Sequence, residues 1–248
     1  MAETFRLYTR QNDKTLLELE RTGRILNRSM YVRLHFGDMA EHYLESYAWF
    51  TRQAEKIVPR PPDAEASIWC SISAENCLRP IDGTVVYVLD VPKEQIIFFD
   101  EGKWDYVLNR MYLPGDAEDD AKYKAHLKEL GVTSSYDLYR GRYGGMFPGE
   151  KERIQESWQR VFQIDNWTIF NVCGNIWEIR KEWIARIVRP GLHVHRHVHG
   201  VRAEAADGDQ GAIVVLLAEA ADGPSHEPER AVVHQELIRA LRQFRRKA

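Results

Sequence analysis

Three strand-like runs follow one another between the Pro-Arg-Pro-Pro of residues 59–62 and Trp104: residues 66–73, residues 84–91, and the Gln-Ile-Ile-Phe-Phe of residues 95–99. They are short and set apart by turn-forming residues, so each reads as strand rather than helix. Three such runs commit the centre of the fold to a sheet. On both sides of this block the spacing is helical. From Asp38 apolar residues recur at Tyr43, Tyr47, Phe50, Ala54 and Ile57, and the pattern resumes at Trp104, Val107, Leu108 and Met111 before Pro114.

Residues 5–11, Phe-Arg-Leu-Tyr-Thr-Arg-Gln, form a further strand, and Asn12 or Asp13 then offers an N-cap for a helix ending at Gly23. Residues 115–152 carry an acidic run, a short amphipathic helix and a glycine-rich loop, and are expected to be a peripheral insertion. Ile154, Trp158, Val161 and Phe162 share a helical face. After them residues 171–180 return to strand, where alternation sets Gly174, Ile176 and Glu178 on one face and Cys173, Asn175, Trp177 and Ile179 on the other. Strands and helices are interleaved without strict alternation, which predicts an α+β fold: a mixed, mostly antiparallel sheet with helices packed around it. Trp49, Trp104, Trp158 and Trp177 lie on apolar faces and are expected in the core.

With 248 residues, 44% of them hydrophobic and 29% charged, the chain has the composition of a folded, soluble protein. A formal charge of −3 supplies no electrostatic argument for a nucleic acid or an anionic membrane. There is no apolar run of membrane-spanning length and no secretory leader, so the expected location is cytoplasmic. Cys70, Cys77 and Cys173 have no metal-type spacing and are odd in number, which argues against a disulfide framework. Composition shifts beyond Pro190. We therefore expect a main domain over residues 1–190 and a small appendage over 191–248, with a His-rich strand, a short strand and a basic helix. His193, His195, His197 and His199 project from one side of such a strand, but no cysteine or carboxylate completes a ligand set, and no metal is expected. The basic helix is expected to pack on its own chain, with docking on a partner as the alternative.

Residues 104–114 (Trp-Asp-Tyr-Val-Leu-Asn-Arg-Met-Tyr-Leu-Pro), residues 156–162 (Glu-Ser-Trp-Gln-Arg-Val-Phe) and residues 176–179 (Ile-Trp-Glu-Ile) resemble the pattern of a bacterial family catalogued as domain of unknown function 3841. The opening Leu-Tyr-Thr-Arg-Gln and the helical Tyr-Ala-Trp-Phe-Thr-Arg-Gln look like the same pattern, and the resemblance covers residues 5–190. A more distant likeness lies in the order of elements: a first strand of Leu-Tyr-Thr type, a helix ending at Gly23, a Ser-Ile-Ser strand, a Val-Leu-Asp-Val-Pro hairpin and a late strand with one glutamate. That order resembles the ADP-ribosyltransferase superfamily, whose members cleave NAD at the nicotinamide bond and pass ADP-ribose to a protein, nucleic acid or small molecule.

The resemblance implies NAD as co-substrate and an enzyme of toxin or defence type. Its alternative is a non-catalytic module that binds a nucleotide or peptide, or a regulatory protein. Cleaving an N-glycosidic bond builds positive charge on the ribose, and a carboxylate beside the sugar stabilises it. Glu178 is the catalytic candidate. The first strand of that superfamily usually supplies an Arg or His, whereas this chain has Thr9 there and Arg10 on the opposite face. Thr9 and Gln11 are then candidates for a ribose or amide, Tyr8 and Arg10 for a phosphate, and Trp69, Ser71 and Ser73 for stacking and orientation. For Glu178 the plain alternative is a solvated strand residue, and for Thr9 and Gln11 polar positions at a sheet edge.

Overall fold

In the computed structural model, which describes residues 3–28 and 40–191, a six-stranded sheet runs through the centre of the main domain. Its strands are β1 (Thr4–Asn12), β3 (Ile68–Ser71), β4 (Thr84–Pro92), β5 (Ile97–Asp100), β6 (Val172–Ile176) and β8 (Ile184–Val188), in the order β5-β6-β3-β1-β4-β8. All neighbouring pairs are antiparallel. A smaller sheet pairs β2 (Arg24–Leu26) with β7 (Glu178–Arg180). The α+β class and the antiparallel sheet read from the sequence are both present.

The period of two in β1 divides the molecule. Leu7 and Thr9 point into one layer, where Leu7 packs with Ile68, Cys70, Tyr87, Leu89 and Ile176. Tyr8 points to the other, against Val86, Val88 and Val188. Further along that second face the helices α2 (Ala40–Ala54), α3 (Glu101–Leu108), α4 (Ala117–Glu129), α5 (Ser135–Tyr139) and α6 (Glu150–Ser157) build the larger core. Trp49, Trp104, Trp158 and Trp177 are all buried in it, as expected. The first helix, α1 (Thr15–Thr22), ends at Gly23 in the left-handed conformation with φ 75°, the C-terminal signal that the sequence carries.

Two expectations are corrected. Residues 115–152 are not peripheral: Tyr123, Leu127, Val132, Leu138 and Tyr139 are buried in the same core as Trp158. The acidic run is the solvent side and first turn of α4, with Asp116 capping it by accepting from Asp119 N, while its apolar positions face inward. The run over residues 171–180 is not one regular strand. It bends at Trp177, whose indole turns into the helical core and donates to Val58 O at 2.8 Å. Ile176 and Ile179 both reach the Leu7 cluster although an odd number of steps separates them, so alternation slips by one at the bend. Glu178 consequently pairs with Leu26, which belongs to the helical core, and parts company with the face of Ile176.

The appendage expected over residues 191–248, with its four histidines and basic helix, lies outside the described residues apart from Gly191. Among the described residues no helix is long and apolar enough to cross a membrane, and no three His, Cys, Asp or Glu side chains gather as a metal site.

Candidate functional site

β1 is paired with β4 without interruption from Thr4↔Pro92 to Asn12↔Thr84, but its register with β3 on the other side is a single pair, Tyr8↔Ser71. The ladder between β1 and β3 is therefore short, a split in the backbone pairing across which the Leu7 core continues. Where the ladder stops, side chains take over: Thr9 Oγ1 donates to Trp69 O at 2.8 Å, and Gln11 Nε2 donates to Thr9 Oγ1, also at 2.8 Å. A hydroxyl thus does the work of a missing backbone N–H and leaves Trp69 O satisfied in the layer where Thr9 is buried.

Tyr8 and Arg10 project from the opposite face of β1 to Thr9, and Tyr8 is paired with Ser71 of β3, which Ser73 follows. The loop after β3 folds over them. Ser71 Oγ donates to Asn76 O at 3.1 Å, Ser73 Oγ accepts from Asn76 N at 3.2 Å, and Asn76 Nδ2 donates to Ile169 O at 2.5 Å. Both serines therefore build the loop. Arg10 Nη1 donates to Arg79 O at 3.1 Å, and burial lowers its pKa, while Cys77 next to it pulls the other way. Burial raises the Tyr8 hydroxyl and pushes the Cys77 thiol up to about 12, so neither supplies an anion near neutral pH. Gln11 and Arg10, both half-buried, are the two candidates with donors to spare.

Trp69 is not a free stacking platform. Its ring is wedged among Phe99 at 4.7 Å, Phe50 and Trp104 at 5.0 Å, and Tyr47 at 5.5 Å, so it anchors β3 to the helical core. Glu178 stands apart in the small sheet. Its Oε2 lies 2.7 Å from Arg24 Nε and its Oε1 accepts from Arg180 Nε at 2.7 Å. The Arg24 contact is charge pairing without hydrogen-bond alignment, since Nε has no aligned acceptor. With both oxygens engaged and 6% of the side chain exposed, the carboxylate is a clamp between β2 and β7. The charge that a developing oxocarbenium would need is already shared between two guanidinium groups.

Sequence reasoning missed a second polar cluster inside the helical layer. Glu45 of α2 receives Arg110 at 3.1 Å, Arg140 at 3.0 Å, Lys151 at 3.2 Å and the Tyr139 hydroxyl at 3.1 Å. Arg110 is fully buried, also donates to His42 O at 2.5 Å, and holds φ 53°, a conformation usually left to glycine just past a helix end. Burial is the largest influence on the Glu45 carboxyl and pushes its pKa up, but the Lys151 hydrogen bond and the Arg110 charge outweigh it and hold the group below its ordinary value. The available signal was the helical offset of Glu45 from the apolar stripe Tyr43, Tyr47, Phe50.

The family model described as "Domain of unknown function (DUF3841)" matches residues 6–185. The chain belongs to this family. The match spans the split, the helical layer and the Glu178 clamp alike, so all three are parts of the family domain. No curated protein and no solved structure matches the chain.

Proposed function

We propose that this member of the family is a nucleotide-binding protein, with NAD as its ligand, and that it binds at the split between β1 and β3. The single pair Tyr8↔Ser71 carries the reading, because a sheet that parts there opens its backbone edges to a ligand. Thr9, Ser71 and Ser73 shape the walls through their internal bonds, while Arg10 offers a cation for a phosphate and Gln11 an amide for a ribose or carboxamide.

The second reading is the ADP-ribosyltransferase-like enzyme, with a protein, nucleic acid or small molecule as acceptor. The order of elements along the chain, a first strand, a helix ending at Gly23 and later strands with Glu178 on β7, favours it. The pairing of Glu178 with Arg24 and Arg180 weighs against it and places simple binding first.

One experiment separates the two. NAD is titrated into wild type, Glu178→Gln and Arg10→Gln while melting temperature and free nicotinamide are followed. Binding predicts a rise in melting temperature with wild type and Glu178→Gln alike, about tenfold weaker affinity in Arg10→Gln for the loss of one charge-assisted contact, and no nicotinamide. Nicotinamide release by wild type that Glu178→Gln abolishes would instead establish the transferase reading. If NAD leaves the melting temperature of wild type unchanged and no nicotinamide appears, both readings fail.

A further inference from the structure

Arg6 and Arg10 project from the same face of β1, and their partners differ. Arg6 commits its fork to Asp90, with Nε and Nη2 donating to the two carboxylate oxygens at 2.6 and 2.8 Å. Arg10 is half-buried and meets no carboxylate among the described residues, and its side-chain bond there is from Nη1 to Arg79 O at 3.1 Å. A cation without a counterion is thus steadied by a carbonyl, and the loop after β3 decides where that carbonyl stands.

That loop, residues 72–83, has no regular structure and is pinned near both ends. At its end, Ile81 N donates to Thr84 Oγ1 at 2.9 Å, and the same hydroxyl donates to Ile81 O at 2.8 Å. Near its start, the backbone of Asn76 is tied to Ser71 and Ser73. Its side chain reaches outside the loop, where Nδ2 donates to Ile169 O in the segment that leads into β6. Between Asn76 and Arg79 stand only Cys77, which packs against Val86, Val88 and Val188, and Leu78, which is 55% exposed and gives the loop no apolar anchor. Pro80 restricts Arg79 to extended backbone, so little slack separates Asn76 from Arg79 O.

We propose that Asn76 is a positioning residue for the phosphate of the ligand at the split. Its tether to Ile169 O fixes the loop, the loop fixes Arg79 O, and Arg79 O orients the guanidinium that grips the phosphate. The proposal rests on the nucleotide-binding reading above and adds the residue that aims its cation. Asn76 acts through Arg10 and does not itself meet the ligand. The contact with Arg79 O engages Nη1, so the other donors of the Arg10 fork stay available. Holding that long side chain in place before the ligand arrives removes an ordering cost from binding.

Calorimetric titration of NAD into the full chain tests it, with Asn76→Ala, Arg10→Gln and the double variant. Asn76→Ala removes only the side-chain tether, since the bonds to Ser71 and Ser73 use the Asn76 backbone. NAD affinity is expected to fall about fivefold in Asn76→Ala and about tenfold in Arg10→Gln. The double variant is expected to bind no more weakly than Arg10→Gln alone, because the cation that Asn76 positions is then gone. Leu78→Ala, in the same loop, is expected to bind as wild type does. In wild type, the Asn76 side-chain amide resonances are expected to shift together with Arg10 Nε as NAD is added, a readout that does not depend on any variant folding. Three results would overturn the positioning role and leave the nucleotide reading standing: undiminished affinity in Asn76→Ala or Arg10→Gln, fully additive losses in the double variant, or Asn76 resonances that stay in place while Arg10 Nε shifts. Absence of NAD binding by wild type would overturn that reading, and the positioning role with it.

Discussion

Glu45 and Glu178 are both carboxylates fixed by arginines, and the consequences differ because their partners differ in burial. Glu45 neutralises Arg110, which has no exposure, so Glu45→Gln leaves a cation uncompensated inside the helical layer. We expect a loss of about 3 kcal/mol, measured by urea unfolding, because removing one partner of a buried pair strands the other. The pH dependence has a defined sign. The folded-state pKa of Glu45 lies below its ordinary 4.5, so its contribution is fully present above about that pH and is lost as pH falls through the folded value. Wild type should therefore lose stability in acid by more than Glu45→Gln does. Glu178 pairs with Arg24 and Arg180, which are 34% and 46% exposed and can return to water. Glu178→Gln is expected to cost less than Glu45→Gln in the same urea measurement, and a larger loss would contradict the clamp as described. Neither role was legible from residue type alone: Glu178 drew attention because it sat among apolar neighbours, and its two arginines enter through β2 and its own strand, a pairing that no local pattern announces.

The elements were more legible than their joints. The strand at residues 84–91 and the helix ending at Gly23 follow from period and punctuation, and both are present with nearly those bounds. The bend at Trp177 was not legible, because it arises from a tertiary demand: Trp177 is needed in the helical core while Ile176 and Ile179 are both needed in the other. The acidic start of α4 hid its buried Tyr123 and Leu127 in the same way, since a few inward residues in a charged stretch give a weak periodic signal. Gly174 in β6 is a testable case of packing at this scale. A Cβ there would lie 2.8 Å from Leu7 Cδ2 and 3.3 Å from Leu7 Cδ1, and Leu7 is fully buried. Gly174→Ala is expected to destabilise by about 1–3 kcal/mol through overpacking. Combined with Leu7→Ala, it should cost less than the sum of the two single changes, because the clash is then gone; strict additivity would contradict the contact. At the split, Thr9→Val keeps shape but strands Trp69 O and should cost about 1–3 kcal/mol in a thermal melt, whereas Thr9→Ser, which retains the hydroxyl, should recover most of it.

At the scale of the molecule, one sheet carries two unlike surfaces. Its β5-β6-β3 half is locked to the helices by tryptophan and phenylalanine rings, and its β1-β4-β8 half is joined to that half through one ladder pair, the Thr9 hydroxyl and the shared core of Leu7, Ile68, Cys70, Tyr87, Leu89 and Ile176. Backbone pairing between the two halves is thus sparse, while one apolar layer continues across both. The order of strands along the chain was readable, because each is a separate short run; the split was not, because it is a relation between β1 and a strand far away in sequence. The central claim is that this split is the binding site, and the most direct test maps backbone amide shifts of the full chain as NAD is added. The account predicts perturbations concentrated at Tyr8, Thr9, Arg10 and Gln11 on β1 and at Trp69, Ser71 and Ser73 across from them. Shifts that gather instead along residues 150–163, or that are absent at saturating NAD, would contradict it.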